Sequence, residues 1–303
     1  MASSLLTNSA AMTALQTLRN VSASLQTTEN RISTGQRVST ASDNSAYWSI
    51  ATSMRADNAA LSAVSDSLGL SAATVDTEYT ALNKVIGDQN SGLTKLQALL
   101  VEAKTAGIDR TKIQAEITQI QQQMKGTANA ATFNGVNWLS TTATTPATFN
   151  LVSSFSRVGG TPTIGSITLT IANYSLYTAT QTGILDKVSG PASVNTINIS
   201  ALTDSTADQT TLDGYITQLT TAINSVSSAA ADLGAVKNRI STNTEFVKTL
   251  MDSVDRGVGQ LVDADMNEES TRLQALQVRS QLGITALSLA NQSANSILSL
   301  FQG

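Results

Sequence analysis

Apolar residues recur at alternating steps of four and three along most of this chain. The longest run is Leu212, Ile216, Leu219, Ile223, Val226, Ala230, Leu233, Lys237, Ile240, Thr244, Val247, Met251, Val254, Val258 and Leu261. Only Lys237 and Thr244 interrupt the stripe, and heptad spacing held this long predicts a coiled-coil-like helix. Gly257 and Gly259 mark where it would bend or end. A matching stripe runs upstream as one line from Tyr47, Ile50 and Met54 through Leu61, Val64, Leu68, Ser71, Val75, Glu78, Leu82, Val85, Gln89 and Gly92 to Leu96, Leu99 and Ala103. A break at Ala106–Gly107 precedes a shorter helix bearing Ile108, Ile113, Ile117, Ile120 and Met124. Helices with compatible seams, two early and one late, are expected to form an antiparallel bundle.

The pattern changes between Phe133 and Ser205. Asn134-Gly135, Gly159-Gly160 and all three prolines (Pro146, Pro162, Pro191) collect there. Period-two alternation at Ile167, Leu169 and Ile171, and again at Ile197 and Ile199, predicts short strands with turns. The fold class that follows is mainly α: a long antiparallel helical bundle or coiled-coil rod built from the N- and C-terminal segments, with a small inserted β-rich domain.

Both ends are helical in pattern and free of charge. No Asp, Glu, Lys or Arg occurs from Ala2 to Leu18 or from Ser280 to Gly303. Ala11, Leu15, Leu18, Ser22, Leu25, Glu29 and Ile32 make one heptad line near the start. Near the finish, Met266, Leu273, Leu276, Leu287, Ala290, Ala294, Ile297 and Phe301 make one line, while Val278, Leu282, Leu289 and Leu300 make a second. A helix with two apolar stripes needs partners on two sides. One is expected to be the other end of the chain, and the second another molecule.

Composition narrows the chemistry. The 303 residues include no His and no Cys, and only 13% are charged. Without His the usual acid/base group and commonest metal ligand are missing, so Ser-His-Asp and Cys-His nucleophile systems are excluded. No cofactor or metal site is expected. Few aromatics suit long helix packing better than a bulky globular core. The net charge of −4 opposes nucleic-acid binding. The N-terminal stretch lacks the basic segment and unbroken apolar run of a cleavable signal peptide.

Asp263-Ala264-Asp265-Met266-Asn267 resembles the opening of a calcium loop, but Glu268 and Gln274 stand where Gly and Glu are required, leaving an acidic linker. Four Asn-x-Ser triplets, at Asn20, Asn173, Asn198 and Asn291, read as incidental in so Asn- and Ser-rich a chain. The polar faces of the end helices carry Ser, Thr, Asn and Gln rather than Lys and Arg, which favours protein contact over membrane insertion.

The segment Ile32-Ser33-Thr34-Gly35-Gln36-Arg37-Val38-Ser39-Thr40-Ala41-Ser42-Asp43-Asn44-Ser45-Ala46 resembles the connector of bacterial flagellins, whose pattern is Leu-Ser-Ser/Thr-Gly-x-Arg-Ile-Asn-x-Ala-x-Asp-Asp-Ala-Ala. Ile113-Gln114-Ala115-Glu116-Ile117, Thr132-Phe133-Asn134-Gly135-Val136, and the ending from Ala290-Asn291-Gln292 through Ile297-Leu298-Ser299-Leu300-Phe301 are similar as well. Trp48 stands where many relatives have a small residue. The resemblance implies a structural, non-enzymatic subunit that polymerises with itself, and with related flagellins, into the extracellular flagellar filament for swimming, after export unfolded through the flagellar type III channel. It implies terminal core helices (1–43 and 265–303), a helical rod domain (44–140 and 206–264) and a small outer variable domain (141–205). The expected polymerisation core is Leu15, Leu18, Leu25, Ile32, Leu273, Leu276, Leu287, Ala290, Ile297 and Phe301. Further partners implied are the export chaperone, the cap and the hook–filament junction proteins, with no nucleic acid and no membrane insertion. A hook–filament junction protein of the same system and a secreted membrane-inserting translocator are the alternatives.

Many flagellins are recognised by an animal innate receptor through a stretch resembling Gln-Arg-Val-Arg-Glu-Leu-Ala-Val. This chain has Thr94-Lys95-Leu96-Gln97-Ala98-Leu99-Leu100-Val101 there. The resemblance implies Lys95, Leu99 and Glu116 as a candidate receptor surface, degenerate because both arginines are lost.

Overall fold

The structure, a computed structural model, describes residues 8–142, 145, 147–158 and 161–302, and of 158 and 294–302 the backbone alone. Long helices dominate: α1 (Ser9–Thr34), α2 (Ser45–Ile86), α3 (Gly92–Glu102), α4 (Arg110–Ala130), α5 (Thr206–Val262) and α6 (Met266–Gln302). Between α4 and α5 lie β1 (Ser140–Thr141), β2 (Thr148–Val158), β3 (Thr161–Thr170) and β4 (Tyr177–Thr178). The chain is thus mainly helical with a small β insertion. It divides into two compact units, Met1–Ala59 with Asp252–Gly303, and Ala60–Met251.

In the second unit the α2 stripe is buried without a gap at Leu61, Val64, Leu68, Ser71, Val75, Glu78, Leu82 and Val85. Every seventh residue of α5 (Leu212, Leu219, Val226, Leu233, Ile240 and Val247) is likewise buried. The two helices run antiparallel, with Lys237 paired to Asp76 and its ammonium 5.8 Å from the centre of the Tyr79 ring. In the second half of the predicted α5 line Ala230 is buried, Ile216 and Ile223 are half-buried and Lys237 is exposed, while Tyr215, Ala222, Ala229 and Val236 beside them are buried as well. Gln97 of α3 hydrogen-bonds Thr220 at 3.1 Å, so α5 meets more than one neighbour and buries a wider face than a two-helix seam needs.

The single upstream helix drawn from the stripe is two helices. α2 stops at Ile86, and Gly87 (φ +71°) and Gly92 (φ +64°) take left-handed conformations. A Cβ on Gly87 would lie 2.1 Å from the Ser91 carbonyl oxygen, so only glycine fits. Asp88 accepts from Asn90 N–H at 2.9 Å, and Thr94 donates to the Ile86 carbonyl at 3.1 Å. The apolar line resumes in α3 at Leu93, Leu96, Leu99 and Leu100, which is why the pattern ran through the break.

α4 buries Ile113, Ile117, Ile120 and Met124 as its pattern predicts. The chain then reverses at Asn134 (φ 49°) and Gly135 (φ 78°), where Phe133 and Val136 exchange two backbone hydrogen bonds of 2.9 Å. That geometry is the mirror-image turn that Asn-Gly favours. Just beyond it, Asn137 donates to the Ala128 carbonyl at 2.7 Å and accepts from Leu139 and Ser140 N–H at 2.9 and 2.7 Å. This clamp delivers Trp138 into the core, where its indole stacks at a tilt on Phe149 with ring centres 5.3 Å apart.

β2 and β3 pair antiparallel from Thr148–Thr170 to Val158–Thr161, with an irregularity between Val152 and Ser154. Ile167 and Leu169 point inward as predicted, but Ile171 begins a 3-10 turn, and Gly159-Gly160 and Pro146 lie outside the described residues. The strand expected at Ile197 and Ile199 does not form. Both side chains are buried, yet the backbone is held by glutamines: Gln114 donates to Ile197 O (3.3 Å) and accepts from Ile199 N–H (2.8 Å), and Gln121 donates to Val194 O (2.9 Å). Side-chain amides supply the hydrogen bonds a neighbouring strand would otherwise give.

In the first unit α5 continues through Gly257 and Gly259 without ending. A Cβ on Gly257 would meet only the flexible tip of Met54, its Cε, at 2.9 Å. Val38, Ala51, Val258 and Val262 form the small core around it.

Candidate assembly surface

α1 and α6 pack against each other. α1 starts at Asn8, whose side chain accepts from Ala11 N–H at 3.0 Å, and ends at Gly35 in the left-handed conformation that closes helices. Asp265 accepts from Asn267 N–H at 2.8 Å and starts α6. Asn8 donates to the Ala290 carbonyl at 3.0 Å, and Arg31 pairs with Glu269 at 3.0 Å, so the helices run antiparallel. Between these ties a Cβ on Gly283 would lie 3.2 Å from Leu18 Cδ1. The covered line of α1 is Ala11, Ala14, Leu18, Val21, Leu25, Thr28 and Ile32; that of α6 is Glu269, Leu273, Leu276, Ser280, Gly283, Leu287 and Ala290.

Three members of the predicted α1 line, Leu15, Ser22 and Glu29, are exposed instead. Ala14, Val21 and Thr28, one position before each of these, take the covered places. Of the predicted polymerisation core, Leu18, Leu25, Ile32, Leu273, Leu276, Leu287 and Ala290 lie in this intrachain seam, and Leu15 is 37% exposed. The side chains of Ile297 and Phe301 lie outside the described residues.

The second stripe of α6 faces away from the other described residues. Val278, Leu282 and Leu289 are 60%, 61% and 65% exposed, with Ile284 and Met12 also open. From Ser280 onward nothing in α6 is charged. An uncharged helical face with repeated large aliphatics is a surface made to be covered. The sequence pattern places Val278, Leu282, Leu289 and Leu300 on a second line, of which the Leu300 side chain lies outside the described residues; Met12 and Ile284 fall on no heptad line.

The connector locks the helix ends in place. Arg37 and Val38 N–H both donate to the Val262 carbonyl, at 2.6 and 3.2 Å, and Ala264 N–H donates to Gly35 O at 2.9 Å. The Arg37 guanidinium donates to Leu261 O at 3.0 Å, satisfying a carbonyl at the end of α5. One Asp43 oxygen accepts from the N–H and hydroxyl of both Ser39 and Thr40 (2.9–3.2 Å), and these bonds, those of Thr40 foremost, hold its carboxyl below the usual range. The Gly-x-Arg…Asp spacing thus closes one helix, caps another and folds the link between α1 and α2.

Lys95 and Glu116 join α3 to α4 through an ion pair of 3.1 Å and are both partly exposed. Leu99 is 2% exposed, out of reach of an external partner.

Residues 5–144 match the bacterial flagellin N-terminal helical region, and residues 216–301 match the bacterial flagellin C-terminal helical region. The chain is 42% identical to Flagellin C of Rhizobium meliloti over 330 residues, with 99% of both chains covered. It belongs to the bacterial flagellin family. A flagellin of Brucella melitensis is 43% identical over 301 residues, again with 99% of each chain covered. Flagellin A of Rhizobium meliloti is 38% identical over an alignment of 400 residues, so that relative carries insertions this flagellin of 303 residues lacks.

Flagellin is the subunit of the extracellular flagellar filament, a structural and non-enzymatic protein of motility. Neither the junction-protein nor the translocator alternative fits that membership. No described helix is long and apolar enough to cross a membrane.

Proposed function

We propose that assembly of this flagellin is driven by the end helices, with residues 1–43 and 265–303 forming the filament core. Residues 44–140 and 206–264 act as the helical rod domain, and 141–205 as the outward, variable part. The observation that carries this reading is the bare aliphatic stripe Val278, Leu282 and Leu289 on the face of α6 opposite its seam with α1. Burying a Leu or Val stabilises by about 1.5–3 kcal/mol, so three such residues repeated along a polymer supply substantial cohesion. Leu15 and Met12 on α1 extend the same function, while the seam residues hold each helical pair together.

In this reading the subunit passes unfolded through the flagellar type III channel, accompanied by an export chaperone. It meets the cap and the hook–filament junction proteins at the two ends of the filament. The absence of cysteine favours such passage, since no disulfide has to form or break. Deleting residues 2–34, or residues 266–303, should leave a protein that does not polymerise; normal filaments from either truncation would refute the core assignment.

A further inference from the structure

We propose that the Arg31–Glu269 ion pair sets the register between α1 and α6, a role that rests on the end helices being the assembly pair for its meaning in the filament. The seam between Ala11 and Thr28 on one side and Leu273 and Ala290 on the other contains no charge. A heptad seam of Ala, Leu, Val, Thr, Ser and Gly has nearly the same face after a slide of seven residues. One slide sets Leu18 on Leu276 and Val21 on Leu273; the other sets Leu18 on Ala290 and Val21 on Leu287. Both arrangements keep the layers apolar, with Leu18 moved from Gly283 to Leu276 or Ala290 and side chains repacked to suit.

Glu269 does not tolerate them. It is 5% exposed, and its Oε1 accepts from Arg31 and from Arg272, each at 3.0 Å. Arg272 belongs to α6 and travels with Glu269 through any slide, so only Arg31 reports on the partner helix. The first slide would place the carboxylate against Leu25, and the second would carry it past the end of α1. Either leaves a buried charge short of its interhelical partner. Single buried polar groups fix register in coiled coils by this means, at no gain in stability over an apolar pair. The connector bonds at Gly35 and Ala264 are the rival device, and the test separates the two.

Because the chain has no cysteine, an introduced pair reads one distance alone. A Cβ on Gly283 would lie 3.8 Å from Leu18 Cβ, inside the span of about 3.5–4.5 Å that a disulfide requires. Leu18→Cys with Gly283→Cys therefore reports the native register. Leu18→Cys with Leu276→Cys, and Leu18→Cys with Ala290→Cys, report the two slides. Each pair is placed in the full chain with the ion pair intact, with Arg31→Leu/Glu269→Leu, and with Arg31→Lys. Soluble and polymerised fractions are oxidised, and intrachain disulfides are mapped by peptide analysis.

With the ion pair intact, the native pair should oxidise at least about tenfold faster than either slid pair. In the leucine double variant, the slid pairs should come within roughly threefold of the native pair, although thermal stability is unchanged or higher. Arg31→Lys keeps the charge and should keep the preference. Undiminished selectivity in the leucine variant would overturn the proposal in favour of the connector, and so would lost selectivity in Arg31→Lys. Selective crosslinking in a protein that never polymerises would refute the assembly reading and leave the register assignment standing.

Discussion

Trp138 donates its backbone N–H to Glu78 Oε1 at 2.8 Å, and neither residue has any exposed surface. The other carboxylate oxygen has no partner among the described residues. Burial pushes the Glu78 carboxyl up to about 8, against the smaller opposing pull of the Trp138 N–H. At neutral pH this acid is therefore held largely protonated inside the helical bundle. A carboxyl raised in the folded state favours folding fully below its ordinary value, and that advantage is lost as pH rises through the folded value. Stability of the unit Ala60–Met251 should thus decline between pH 4.5 and about 8, by up to about 1.4 kcal/mol per pH unit from this group. Glu78→Gln should flatten that slope while keeping the bond to Trp138. Thermal unfolding followed by circular dichroism across this range checks it, and an unaltered slope in Glu78→Gln would contradict the assignment.

Three glycines should respond differently to alanine. Gly87→Ala forces a side chain into the Ser91 carbonyl at positive φ, and should destabilise by at least about 2 kcal/mol. Gly107 is also left-handed (φ +80°) but faces open space, so its substitution should cost only about 1–2 kcal/mol. Gly126 lies within α4 with nothing nearby, and Gly126→Ala should stabilise by about 0.5–1 kcal/mol. Urea unfolding of the three variants gives the ranking; a neutral Gly87→Ala would contradict the tight-turn account.

Asp43 offers a second pH test with the opposite sign. Its carboxyl is lowered, chiefly by the bonds from Thr40, so the connector should be ordered above the ordinary aspartate value and loosen as pH falls through the folded one. Asp43→Ala should speed amide hydrogen exchange at Ser39 and Thr40 even at neutral pH. Exchange rates unchanged from those of the parent would show that the connector folds without this cap.

Receptor recognition should be weak. Lys95 cannot copy the bidentate geometry of an arginine, Gln97 is tied to Thr220, and Leu99 is covered. Loss of a buried interfacial arginine commonly costs roughly a hundredfold in affinity. Lys95→Arg, which retains the pairing with Glu116, should restore activation only in part in a cell reporter assay on monomeric protein. Potency equal to that of a strongly activating flagellin would refute this.

Much of the helical architecture could be read from spacing. The α2 line from Leu61 to Val85 and every seventh residue of α5 from Leu212 to Val247 bury where the heptads place them. Spacing failed where a different force decided. The Gly87–Gly92 turn keeps the apolar phase and so hides in the pattern. Ile197 and Ile199 alternate like a strand because both are buried, yet Gln114 and Gln121 replace the sheet. In α1, Leu15 and Ala14 both fit a heptad, and the packing against α6 covers Ala14 and leaves Leu15 exposed. The outward stripe was legible as a second line on α6; its exposure could be seen only once the seam with α1 had been located.

In the filament proposed above, the bare stripe of α6 is covered by other copies of this chain. Val278→Ser, Leu282→Ser and Leu289→Ser combined change residues already exposed to solvent, and should leave the fold and its thermal unfolding almost unaltered. Electron microscopy of the purified full-length protein after a polymerisation trial, parent beside triple variant, is the direct measurement. Long filaments from the parent and none from the folded triple variant are expected; filaments of normal length and abundance from the triple variant would contradict the account.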